Sequence, residues 1–170
     1  LAQRYLNFGI LHLDAHGDLR NAYEGFQESH ASIMFNALQI PQISKLVQVG
    51  IRDISHREMT LMQQSNGRVV TYLDTQLKQA TYSGHSWLQQ CQDIVRNLPD
   101  QVYISCDVDG LDPKLCPHTG TPVPGGLDLE EAYCLWREVV RSGRRIIGGD
   151  ICETGNHEWD GNVGARILYK

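Results

Sequence analysis

Apolar residues fall in five short, nearly unbroken runs, at 8–13, 46–51, 69–73, 102–106 and 146–151. Runs of this length, rich in Val, Ile and Leu, predict strands buried on both faces. The stretches between them change period. Trp87, Leu88, Cys91, Ile94, Val95 and Leu98 share one face of a helix. Ile33, Met34, Ala37 and Leu38 do so over a shorter span, and 55–64 carries a fainter version. Asp128 stands as a helix cap, with Glu131 three residues on, ahead of Leu135, Trp136, Val139 and Val140. Val163, Ile167 and Leu168 predict a last helix. This alternation predicts a three-layer α/β/α fold around a mostly parallel sheet, with 1–170 as a single domain. In such sheets ligands bind beyond the carboxyl ends of the strands.

Two of the runs empty into carboxylates. The first is followed by Asp14-Ala15-His16-Gly17-Asp18, the fourth by Asp107-Val108-Asp109-Gly110-Leu111-Asp112-Pro113. Two like charges about 4 Å apart repel by roughly 4 kcal/mol at an effective dielectric near 20. Cations, protons or distance must relieve that. Oxygen ligands with one imidazole suit a divalent ion such as Mn²⁺ or Mg²⁺. On extended chain, alternate residues face one side, so Asp14, His16 and Asp18 can address one cavity, and Asp107 with Asp109 likewise. Asp112-Pro113 fits a turn better than a ligand.

Composition narrows the field. Hydrophobic residues make up 41% and the formal charge is −5, which fits a globular protein and gives no basic stripe for nucleic acid. No apolar stretch reaches the length of a membrane span. The five cysteines are scattered and lack C-x-x-C spacing, which argues against a disulfide framework and for a reducing, cytoplasmic setting. Core packing is the expected role of Cys106 and Cys152, and core or interface positions that of Trp87, Trp136 and Trp159.

Four further residues are candidates by position. His30 lies one loop beyond the first aspartate segment, where an imidazole can transfer protons. Glu153 ends the last strand and can pair with a cationic substrate group. Arg20, two residues past Asp18, either offsets local acidity or grips a substrate carboxylate. His12 shares strand parity with Asp14 but lies deeper, as a core or supporting histidine.

These segments, with 119–126 (Thr-Gly-Thr-Pro-Val-Pro-Gly-Gly) and 150–153 (Asp-Ile-Cys-Glu), resemble the ureohydrolases. That family includes arginase, agmatinase, guanidinobutyrase and formimidoylglutamase. The resemblance runs from about Phe8 to the end. It implies a binuclear manganese cluster, with two ions per subunit. Asp14 and Asp107 would bridge the ions, His16 and Asp109 would complete one site, and Asp18 would serve the other. A hydroxide shared by the ions would attack the guanidinium carbon, with Asp18 accepting a hydrogen bond from it. His30 would pass a proton to the leaving amine and Glu153 would orient the guanidinium. The products would be urea and an amine, in polyamine metabolism. Trimers or hexamers of identical subunits are expected.

The resemblance departs at one point. The family's upstream Gly-Gly-Asp-His-like segment, which supplies a histidine to the first metal site, has no counterpart here. The expectation is that 1–170 is the carboxyl-terminal portion of a longer catalytic domain, lacking amino-terminal strands and one ligand. The sequence 23–30 is most similar to agmatinases, whereas Asp18-Leu19-Arg20 is similar to formimidoylglutamases. An agmatine-like guanidino substrate ranks first, with a carboxylate-bearing substrate of the arginase or formimidoylglutamase kind as the alternative. A non-catalytic fragment or pseudoenzyme is the reading from another class. A one-zinc hydrolase fits poorly, because the second carboxylate set would have no ion to serve.

Overall fold

Phe8–Leu13 (β1), Ile43–Ile51 (β2), Val69–Leu73 (β3), Gln101–Asp107 (β4) and Arg145–Cys152 (β5) form one parallel sheet in a computed structural model describing residues 1–170. The strand order is β3-β2-β1-β4-β5. The helices are Ile33–Ala37 (α1), His56–Gln64 (α2), Asp74–Tyr82 (α3), Trp87–Arg96 (α4), Leu129–Arg141 (α5) and Glu158–Leu168 (α6). The three-layer α/β/α architecture is therefore present. No helix is long and apolar enough to cross a membrane.

Strand parity divides the core. Leu11 and Leu13 of β1 face one way, packing with Val47, Ile94, Leu135 and Val163; α3, α4, α5 and α6 cover this face. Phe8 and Ile10 face the other way, packing with Leu46, Met34 and Leu38 beneath α1 and α2. Both faces of the central strands are dry, which is why their sequences lack polar alternation.

The strand order places the aspartate segments. From β1 the chain winds outward through β2 and β3, then returns to lay β4 on the other side of β1. The winding reverses between β1 and β4, and a crevice opens at such a reversal. Leu13 pairs with Cys106, so Asp14 and Asp107 leave neighbouring strands at the same level. Asp107 pairs with Cys152, which puts Glu153 one step beyond on the next strand.

Three expectations need correction. The run at 146–151 is not buried on both faces, because β5 is an edge strand whose residues are exposed or half-buried. Helix α3 was not expected, since only Asp74 and Leu77 of its residues are buried and its apolar period is sparse. Val140, Trp159 and Leu168 sit on the predicted helices but point to solvent, at 62%, 49% and 73% exposure.

Candidate metal centre

The end of β1 is held by hydrogen bonds to its own loop and to β4. Asp14 is buried, and its Oδ1 accepts the His16 backbone N–H at 2.6 Å. Asp109 Oδ1 accepts the Ala15 N–H at 3.0 Å, and its Oδ2 lies 3.0 Å from His16 Nδ1. His16 Nδ1 is also 3.4 Å from Asp14 Oδ1. Ligating atoms of Asp14, His16 and Asp109 thus lie within 4.8 Å of one another, and those of His12, Asp14 and Asp18 form a second such group. Asp107 Oδ1 accepts the Asp109 N–H at 2.9 Å, capping the short 3-10 turn Val108–Gly110.

Asp14, His16, Asp18, Arg20, His30, Asp107, Asp109 and Glu153 all line one cavity of about 240 Å³. They do not reach it by simple strand alternation. Asp18 has φ +52° and Glu153 φ +59°, both in the left-handed region, and Asp109 sits in the 3-10 turn. A left-handed backbone at a residue with a Cβ costs about 1–2 kcal/mol. Both carboxylates are therefore aimed by turns rather than by pleat.

Supporting residues surround the cluster. His12 Nε2 lies 2.8 Å from Asp14 Oδ2, and its Nδ1 lies 3.1 Å from Gln48 Nε2, which donates to Gly17 O at 2.7 Å. Buried Glu58 accepts the Leu19 N–H at 3.0 Å through Oε1 and the Ser55 N–H at 3.0 Å through Oε2, while Arg20 Nε stands 3.7 Å from that Oε2. Thr121 Oγ1 donates to Asp109 Oδ2 at 3.3 Å. Arg52 donates to the carbonyls of Asp109 and Val123, each at 2.7 Å, and ties the loop after β4 to the end of β2. Asp53, Tyr23 and Cys152 also line the cavity. The sequence reading missed Arg52, Asp53, Glu58, Thr121 and Tyr23. The Ser55-x-x-Glu58 box and a charged Arg52 directly after a buried strand were the available signals.

Cys152 corrects another expectation. It is half-buried against the cavity rather than packed in the core, because β5 lies at the sheet edge, and its Sγ donates to Asp150 Oδ1 at 3.2 Å. Burial and the contact with Asp150 push this thiol up to about 12. All five cysteines are free. Asp112 turns away from the cluster, its Oδ1 accepting the Lys114 N–H at 3.0 Å. His30 sits exposed at the cavity rim, edge-on to Tyr23 at 5.6 Å, and the Arg20 guanidinium lies 4.9 Å over the same tyrosine ring.

Without a cation the cluster stores its repulsion as protons. Burial, then the charges of Asp14 and Asp109, push Asp107 up to about 9. Burial and the Asp14 charge push Asp18 up to about 7. Hydrogen bonds to Asp109 and Asp14 raise His16 to about 10. Burial opposes ionisation of Asp14 too, but His12 and His16 beside it hold its carboxyl well below the usual range. Burial acts to lower the His12 pKa, yet the Asp14, Asp18 and Asp109 charges outweigh it and raise the value.

The sign of the pH effect follows. Asp18, Asp107 and His16 bind protons more tightly folded than unfolded, so their contribution to stability is complete at low pH. It is lost as pH rises through about 7, 9 and 10. Asp14 acts oppositely, only at acid pH. The metal-free protein should lose melting temperature progressively from about pH 4, where the carboxylates of the unfolded chain ionise, to about pH 10. Mn²⁺ should restore it, most strongly at the alkaline end, with protons released on binding. Thermal melts with and without Mn²⁺ check this; a metal-free curve that is flat or climbs would contradict it.

Residues 1–160 match the profile of the Arginase family. This chain belongs to the arginase family. It is 34% identical over 150 residues to the N(1)-aminopropylagmatine ureohydrolase of Thermus thermophilus, covering 86% of this chain and 46% of that protein. It is 34% identical over 160 residues to the agmatinase of Pyrococcus horikoshii, covering 92% of this chain and 51% of the relative. The chain spans about half the length of the curated relatives it matches. The crystal structure of arginase from Bacillus subtilis shares the fold at a TM-score of 0.80 and 24% identity, covering 98% of this chain and 63% of that one.

Proposed function

We propose that this arginase-family protein is a manganese-dependent hydrolase that cleaves a linear, agmatine-like guanidino compound to urea and an amine. The observation that carries this reading is the convergence of four kinds of group on one cavity: clustered carboxylates, an imidazole among them, a histidine at the rim and Glu153 just past the end of β5. Relatives named agmatinase and N(1)-aminopropylagmatine ureohydrolase support the substrate class.

The donor set fits hard divalent ions. Asp14, His16, Asp18, Asp107 and Asp109 would hold them, and the raised pKa values of Asp107 and Asp18 mark charge that a cation would neutralise. The one thiol lining the cavity, Cys152, is held towards its protonated form by burial and by Asp150, which disfavours a soft thiolate site. Bound ions would supply Lewis acidity and lower the pKa of a shared water. The chain's own residues do the rest. Glu153 accepts hydrogen bonds from the guanidinium and fixes its plane. His30, exposed at the rim, hands a proton to the departing amine nitrogen. His12 and Gln48 hold Asp14 in place from behind.

Arg20 supports a second reading. Its side chain is 40% exposed at the cavity mouth and its nearest carboxylate contact is long, at 3.7 Å, so it is free to meet a substrate carboxylate. That would favour a compound of the arginine or formiminoglutamate kind. The Mn²⁺-loaded protein should be assayed on agmatine, arginine, guanidinobutyrate and formiminoglutamate. Urea from agmatine is expected, and Arg20→Ala should leave that activity in place. Activity confined to the carboxylate-bearing compounds and lost in Arg20→Ala would instead favour the second reading. Metal bound at the cluster with no product from any of the four would favour a pseudoenzyme.

A further inference from the structure

A second cluster of titratable groups lies beside the cavity and takes no part in the scheme above. Asp160, in the first turn of α6, is fully buried. Its Oδ2 accepts the His118 backbone N–H at 3.0 Å, and its Oδ1 lies 3.0 Å from His118 Nδ1. His157, the N-cap of α6, accepts the Trp159 N–H through Nδ1 at 3.2 Å and stacks on His118 with ring centroids 4.0 Å apart and planes 19° apart.

The three side chains bring metal-ligating atoms within 4.8 Å of one another. They do not make a metal site as arranged. An imidazole lone pair lies in its ring plane, and two nearly parallel stacked rings direct theirs along parallel lines that do not converge on one ion. The cluster is better read through what it joins. His118 begins the segment that carries Gly120 and Thr121; Asp160 and His157 anchor the segment that follows Glu153.

Both segments border the catalytic cavity. Thr121 donates to Asp109 Oδ2 at 3.3 Å. A Cβ on Gly120 would lie 3.3 Å from Glu153 Oε2, so that carboxylate rests directly against the 118–121 backbone. A Cβ on Gly155 would collide with the His118 carbonyl, which shows how closely the two backbones approach. Glu153 itself holds a left-handed backbone, φ +59°, which persists only where its surroundings over-determine it.

We propose that Asp160, acting through His118, is a positioning residue for Glu153. It clamps the 118–121 segment to the 153–157 segment and so fixes the Glu153 carboxylate against the aspartate cluster. This rests on the reading of Glu153 as the guanidinium acceptor. A misplacement of about 1 Å in such a group costs on the order of 100-fold in rate. The clamp would therefore act chiefly on guanidino binding and turnover and less on the ions, because Asp109, although it accepts from Thr121, is held also by the Ala15 N–H and by His16, and Asp14 by His12.

The test compares Asp160→Asn, His118→Ala, His118→Asn and Glu153→Gln in the Mn²⁺-loaded protein, by calorimetric titration with agmatine and, separately, with Mn²⁺. Backbone amide exchange over 118–121 and 153–157 gives a readout independent of ligand. Asp160→Asn and His118→Ala should weaken agmatine binding by roughly 10-fold, change Mn²⁺ affinity by much less and speed exchange in those two segments alone. His118→Asn should recover most of the loss, since an amide can still donate to Asp160. Wild-type agmatine binding in His118→Ala and Asp160→Asn, with Glu153→Gln impaired, would overturn the clamp and leave the Glu153 reading standing. Parallel loss of Mn²⁺ and agmatine binding would make the pair a general structural element and overturn it as well. Agmatine binding that is absent in the wild type, or unaffected by Glu153→Gln, would defeat the reading of Glu153 and the clamp with it.

Discussion

Asp109→Ala should weaken Mn²⁺ binding by more than about 100-fold, beyond the range seen when only a supporting residue is removed. Asp109 is 3% exposed and does three things at once. It offers carboxylate oxygen to the cavity, accepts the Ala15 N–H at 3.0 Å and meets His16 Nδ1 at 3.0 Å. Removing the carboxylate deletes a ligand, loosens the imidazole and leaves the N–H of a fully buried residue without its partner. A buried donor stranded in this way costs about 1–3 kcal/mol. Isothermal titration with Mn²⁺ measures the first effect and chemical denaturation the second. Asp109→Asn separates them, because its amide oxygen can still accept from Ala15 while the negative charge is gone. If Asp109→Ala binds Mn²⁺ as tightly as the wild type, the cluster is not the metal centre.

Gly110→Ala should be strongly damaging for a change of a single methyl group. A Cβ there would sit 2.6 Å from Asp14 N and 2.9 Å from Asp14 Cα. Those atoms are backbone, at the point where β1 and the turn after β4 converge, and they cannot swing aside. Overpacking of this kind costs about 3 kcal/mol, which corresponds to a fall of roughly 6–12 °C in Tm for a chain of this size. The displacement also reaches Asp14 directly, so metal affinity should fall with stability. Gly161→Ala is the control: it lies in α6 with nothing within 4 Å of its Cβ, and should leave the melt unchanged or slightly raised. Equal melting temperatures for Gly110→Ala and Gly161→Ala would show that the two segments are not in the contact described.

Much of the architecture was legible because the core strands obey a simple rule. β1 and β2 are buried on both faces, and their sequences say so without ambiguity. α4 and α5 carry strong apolar stripes, and both start at capping boxes, Ser86 with Gln89 and Asp128 with Glu131. β5 misled because burial depends on strand order, and nothing in 146–151 tells whether another strand lies beside it. α3 escaped because Leu77 is its single buried apolar residue.

The cavity was partly legible for the same reason. Carboxylates directly after a buried strand cannot be surface decoration, so Asp14 and Asp107 were visible as soon as their strands were. How Asp18 and Asp109 get there was not visible, because a positive φ and a 3-10 turn, rather than alternation, bring them in. Arg52, Glu58 and Thr121 were missed because their partners are a backbone carbonyl, a backbone amide and a carboxylate supplied by distant segments. Such partnerships exist only after folding.

The left-handed turns at Asp18 and Glu153 set backbone comfort against the placing of a carboxylate at two positions. Glycine would sit there more comfortably than either acid, so drift towards it would yield a sturdier molecule whose cavity lacks two of its carboxylates. Any attempt to toughen this scaffold by easing its tightest bends would begin by stripping acid groups from the cavity.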